Sequence, residues 1–116
     1  MGIKLELCLD CNDGVATATF WAEALRYRRA GTAGQYHVLV DPEGTGPNLV
    51  IQQVGEAKPG KNRVHFDLKV ADIEAEATRL VALGATRVMA SPIEEHGGTW
   101  VVMTDPEGNE FCVCRA

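Results

Sequence analysis

The stretch Arg63-Val64-His65-Phe66-Asp67-Leu68-Lys69-Val70 sets an imidazole and a carboxylate two residues apart in an alternating run. Residues two apart on a strand share a face, so Asp67 can orient the His65 ring or meet a substrate. The alternative is a strand that ends in solvent there, because a buried carboxylate without a partner is costly. Arg63 can reach an anionic ligand or pair with a neighbouring carboxylate, and the structural pair is the expectation. Four cysteines, Cys8 and Cys11 in CLDC and Cys112 and Cys114 in CVC, invite a zinc site. Against it, Cys8 and Cys11 lie three apart near a strand end and point to opposite faces, with no Gly or Pro between them to make a knuckle. Small buried apolar residues are the better reading of all four. Trp21 and Trp100 read first as packing and second as ligand platforms. His37 and His96 have no companions that suggest a site.

These residues need elements to hold them. IKLELCL (3–9) alternates as a half-buried strand. Asp13 is an N-cap candidate, followed by Val15, Ala18, Ala22 and Leu25 at helical spacing, with Phe20 and Trp21 widening the stripe. The helix fades near Leu25 to Arg29; a short strand and a turn at Gly31-Thr32-Ala33-Gly34 are expected next. Strands follow at 36–40 and 48–54, separated by DPEGTGP. After the linker GEAKPGKN (55–62), Arg63 to Val70 reads as a strand and Asp72 as a second N-cap. Ile73, Ala77, Leu80, Val81 and Leu83 form the next stripe, closed by Gly84 as a left-handed cap. Strands are expected at 86–90, 99–104 and 110–114, with SPIEEHGG and DPEGN as loops.

The order strand, helix, three strands therefore occurs twice. Asp41-Pro42-Glu43-Gly44 and Asp105-Pro106-Glu107-Gly108 stand at matching places in the two halves. A repeated turn can arise by chance, but an ordered match of several elements points to duplication.

A chain of 116 residues has room for a core of its own. The net charge of −5 argues against nucleic acid as a partner. The one dense basic run, Arg26-Tyr27-Arg28-Arg29, reads as a solvated helix end or edge strand. No apolar stretch reaches the length of a membrane span, and the N-terminus lacks a secretory pattern, so a cytoplasmic protein is expected. No P-loop, Rossmann glycine pattern, HExxH motif or nucleophile elbow is present.

Four stretches, LDCNDGVATATFWAEAL, KNRVHFDL, RLVALGATRV and DPEGNEFCV, resemble the glyoxalase-like domain proteins of the vicinal oxygen chelate superfamily, the fold of glyoxalases, bleomycin-resistance proteins and extradiol dioxygenases. The resemblance implies an α+β fold of two tandem βαβββ modules forming curved mixed sheets. It covers one domain over 1–116, with module one at 1–57 and module two at 61–116. It also implies a cup that takes a small organic molecule, and a homodimer. Catalytic members hold a divalent metal with one ligand from the first and last strand of each module. Carried over, those positions are Glu6, Gln52 (with Val50 competing), His65 and Cys112. Family enzymes place a carboxylate where Cys112 stands, and Glu110 lies two residues earlier.

The resemblance thus makes Glu6, Gln52, His65, Asp67, Trp100 and Cys112 substrate-contact candidates and Glu6 and His65 metal candidates, with no catalytic residue assigned. Three activities stay open. One is a small-molecule binder with lyase, isomerase or dioxygenase chemistry. The second is a metal-dependent glyoxalase-type enzyme through Glu6 and His65. The third is a non-catalytic, drug-sequestering protein, for which the acidic balance would suit a cationic compound.

Overall fold

The computed structural model describes residues 2–116, which form two compact units, 2–58 and 59–116. In the first unit β1 (Glu6–Cys11), α1 (Gly14–Leu25), β2 (Arg28–Ala33), β3 (Tyr36–Val40) and β4 (Asn48–Gln53) build one sheet in the order β1-β4-β3-β2. In the second, β5 (Asp67–Val70), α2 (Ile73–Leu83), β6 (Thr86–Arg87), β7 (Ile93–Glu95), β8 (Gly98–Thr104) and β9 (Glu110–Arg115) build β5-β9-β8-β6, with β7 also paired to β8. Each sheet is mixed: β1 and β4, like β5 and β9, run parallel, and the other pairs are antiparallel. The two βαβββ modules share one strand order, with the second strand of the second module broken into β6 and β7.

Both helices start as the sequence predicts. Asp13 and Asp72, in extended backbone, accept hydrogen bonds from the N–H groups of Ala16 and Ala75, satisfying a donor that a helix start otherwise leaves unpaired. The stripes need correction. Val15 and Val81 are exposed, whereas Thr17 and Ala24 join the expected Ala18, Phe20, Trp21 and Ala22 on the buried face of α1. Phe20 and Trp21 meet edge to face, with ring centroids 5.1 Å apart. Across from α1, Leu39, Leu49 and Ile51 are fully buried. In the second unit, Ile73, Ala77 and Leu80 of α2 are buried together with Val101, Met103, Phe111 and Val113 of β8 and β9.

The repeated DPEG phrase is one structure used twice. In each copy the Asp carbonyl accepts the Gly N–H at 2.9 Å, and the Gly takes a positive φ, 71° at Gly44 and 85° at Gly108. The first carboxylate accepts from the N–H groups of Glu43, Thr45 and Gly46 and from the Thr45 hydroxyl; the second accepts from Glu107 N, Asn109 N and Asn109 Nδ2. Pro presets the turn and Gly supplies its left-handed residue.

Several expected boundaries move. The first strand is Glu6–Cys11, and Ile3 and Leu5 before it are exposed. Gly31 to Ala33 belong to β2, and the turn falls on Gly34 and Gln35. The strand expected at 86–90 ends at Arg87, whose guanidinium donates to the carbonyls of Met89 and Ala90 and to Glu74. Those carbonyls are satisfied off the ladder, and Pro92 has no N–H to give it. SPIEEHGG is no plain loop: it holds β7 and a tight turn at His96 and Gly97, both with positive φ. The strand expected from Arg63 begins only at Asp67, so His65 lies just ahead of it.

Candidate functional site

The pleat of the second sheet sorts its residues into two faces. Leu68, Val70, Phe111, Val113, Val101 and Met103 alternate with Asp67, Lys69, Glu110, Cys112, Cys114, Trp100 and Val102. The first set contains the buried core residues on the side of α2. On the second set the register makes two rows across three strands: Asp67 beside Cys112 beside Val102, and Lys69 beside Cys114 beside Trp100. This face, turned away from α2, opens into a pocket of about 500 Å³ that His65, Lys61 and Thr99 also line.

On its wall His65 Nε2 lies 3.2 Å from Asp67 Oδ1, with side chains 44% and 48% exposed. His65 is therefore no core histidine. Its ring is half in water yet aimed along the sheet face by Asp67. The ladder reaches back to meet it, for Cys112 N–H donates to the Phe66 carbonyl at 2.9 Å. Cys112 is 9% exposed. Burial pushes its thiol from 9.0 up to about 11; the charge of Asp67 adds to the rise, which Lys61 partly offsets. Cys114 is raised for the same first reason, burial, with Asp67 again contributing. Neither thiol is a ready nucleophile at neutral pH, because the thiolate is the reactive form.

The metal implied by the family resemblance can be tested on the donors. His65, Asp67 and Cys112 each present one ligand atom, and these atoms lie within 4.8 Å of one another. Nitrogen, carboxylate oxygen and sulfur suit zinc and other borderline ions, and are wrong for magnesium or manganese, which want oxygen. The residues fit a soft divalent ion, provided the ion displaces the Cys112 proton.

The first-module candidates sit otherwise. Glu6 Oε2 accepts from Asn48 Nδ2 at 3.1 Å. Gln52 takes the Cys8 thiol on Oε1 at 3.6 Å and reaches Tyr36 Oη at 3.4 Å through Nε2. The parallel register pairs Cys8 with Val50 just as it pairs Asp67 with Cys112. Val50, the competing choice, is thus the counterpart of Cys112, and Gln52 stands one row further on. Cys8 is exposed, against the expectation of burial, while Cys11, Cys112 and Cys114 are buried. Trp21 is 1% exposed and purely packing. Arg63 is exposed, and no ion pair among the described residues includes it, so the expected structural pair is not formed. Lys69 carries no signal of its own in the sequence and is not among the sequence candidates, although it lines the pocket. The same alternation that joined His65 to Asp67 would have placed Lys69 beside them.

A family model described as glyoxalase-like domain matches residues 6–114. No curated protein matches by sequence. Among solved structures, a glyoxalase/bleomycin resistance protein/dioxygenase from Nocardioides aligns with a TM-score of 0.75 at 16% identity, covering 99% of this chain and 83% of its own. The fosfomycin resistance protein FosX from Mesorhizobium loti gives 0.75 at 15% identity, covering 100% and 93%. The oxidase ChaP-H2 gives 0.74 at 19%, covering 100% and 95%. At these identities the likeness is one of fold.

Proposed function

The chain belongs to the glyoxalase-like domain family of the vicinal oxygen chelate superfamily, and from that premise we propose that it binds a small organic molecule on the face of its second sheet turned away from α2. One observation carries the reading: a pocket of about 500 Å³ combines an indole, Trp100, with the converging polar groups of His65, Asp67 and Lys69. That is the size and mixed lining of a small-molecule site. Trp100 supplies apolar area, and the His65–Asp67 pair orients a hydrogen bond toward the ligand. A ligand screen by NMR on amide-labelled protein tests it. Hits should move amides of β5, β8 and β9, and Trp100→Ala should weaken them. A broad screen that moves none of these amides would retire the reading.

A second reading has an observation of its own, the three donors of His65, Asp67 and Cys112. Such an ion, when bound, supplies Lewis-acid polarisation of a substrate oxygen. The protein's part is to hold it: Asp67 and His65 give up their mutual bond, and Cys112 gives up its proton. Titration with Co²⁺ tests this without any assay of activity. A near-ultraviolet sulfur-to-cobalt band, lost in Cys112→Ser and kept in Cys8→Ser, is expected. Its absence removes the metal reading and leaves the binder.

Dimerisation is part of the same proposal. Strands β1 and β5 are sheet edges, and Ile3, Leu5 and Val64 just ahead of them are exposed apolar side chains. Light scattering should give twice the chain mass. No helix among the described residues is long and apolar enough to cross a membrane, and a cytoplasmic setting suits four free thiols.

A further inference from the structure

Charge on the pocket wall opposes charge on the chain. The whole protein carries −5, but the pocket is lined by Lys61, Lys69 and Arg115 against two carboxylates, Asp67 and Glu110. Both carboxylates are already engaged. Asp67 pairs with His65, and Glu110 Oε1 accepts from Asn62 N–H at 3.1 Å, while Asn62 Oδ1 takes the Glu110 N–H at 2.7 Å. The three cations have no ion-pair or hydrogen-bond partner among the described residues. Lys69 stands in the row of Trp100, with only Cys114 between them. A flat apolar body laid on the indole therefore brings its edge toward an unpaired ammonium. Screening decides between the local and the global charge. Over about 8 Å of physiological salt solution distant acidic residues are largely shielded, so the cations at the wall prevail.

We propose that the ligand of this pocket is a small planar organic acid, an aromatic carboxylate in class, with its ring against Trp100 and its carboxylate held by Lys69 and Lys61. The assignment rests on the small-molecule reading above and narrows it. It reverses the expectation of a cationic compound drawn from net charge alone.

Three probes of one shape separate the possibilities: benzoate, benzamide and benzylammonium. Binding is read from fluorescence quenching excited at the red edge of indole absorption, where Trp100 responds and the buried Trp21 stays constant. Benzoate should bind about tenfold tighter than benzamide, as a charge-assisted hydrogen bond outweighs a neutral one, and benzylammonium should bind weakest. Lys61→Met with Lys69→Met should weaken benzoate about tenfold and benzamide far less, closing the gap between them. Arg63→Met, an exposed cation outside the pocket, should change nothing. Benzamide equal to benzoate, or benzylammonium tighter than either, overturns the anion assignment and leaves the small-molecule site standing. No quenching by any of the three at millimolar concentration overturns the aromatic-acid assignment, while the small-molecule reading falls only with the amide-shift screen.

Discussion

Cys112 shows how a residue's chemistry is set by its neighbours. Where catalytic relatives are expected to carry a carboxylate, this chain has a thiol walled in by β5 and β8, and burial with Asp67 lifts its pKa to about 11. In protein labelled with ¹³C at cysteine, the Cys112 Cβ shift should titrate near that value. Asp67→Asn removes a negative neighbour and should move the midpoint downward. A midpoint near the ordinary thiol value would show that the site is wetter than this geometry allows, and an upward move in Asp67→Asn would overturn the charge assigned to that neighbour. Asp67 stands beside Cys112 in the row, so what a ligand meets there at neutral pH is a protonated thiol next to a carboxylate.

At the scale of elements, the DPEG turns and the helices carry the local energetics. Asp105 is buried and satisfies three donors, so Asp105→Ala should cost about 2–3 kcal/mol by urea unfolding, the penalty of leaving buried N–H groups unpaired. Asp41→Ala, in the more open copy, should cost less. Gly108→Ala meets no steric neighbour but needs a left-handed backbone, and about 1–2 kcal/mol is expected. Within α1, Thr17 is fully buried and its hydroxyl has no hydrogen-bond partner among the described residues. Thr17→Val keeps the shape and removes the stranded group, so a gain of about 1 kcal/mol is expected. A loss in that variant would mean that the hydroxyl is bonded after all.

For the whole molecule, stability should form a plateau with two limbs. Asp41 and Glu74 titrate below their ordinary values, Asp41 chiefly through the N–H of Glu43 and Glu74 through Arg87. Depressed carboxylates stabilise the fold above their unfolded pKa, and that contribution is lost as pH falls through the folded one. Cys112 acts with the opposite sign. Raised from 9.0 to about 11, it is neutral in the fold where the unfolded chain ionises, so stability falls across that interval as pH rises. Urea midpoints measured from acid to alkaline pH check both limbs. Asp41→Asn should flatten the acid limb and Cys112→Ala the alkaline one.

The sequence by itself determined the duplication, the helix caps at Asp13 and Asp72, and the paired DPEG turns, because each is a local rule of backbone and hydrogen bonding read from a few adjacent residues. It also put His65 beside Asp67, since a period of two needs no knowledge of other strands. Only the tertiary structure decided which residues of different strands stand in one row. Register chose Val50 over Gln52 as the counterpart of Cys112, and pairing with β8 set Trp100 alongside Cys114 and Lys69. Burial likewise separated exposed Cys8 from the three buried cysteines, and the pocket's cations from the acidic total. Register and burial come from contacts between residues far apart in the chain, which no local pattern of residues encodes.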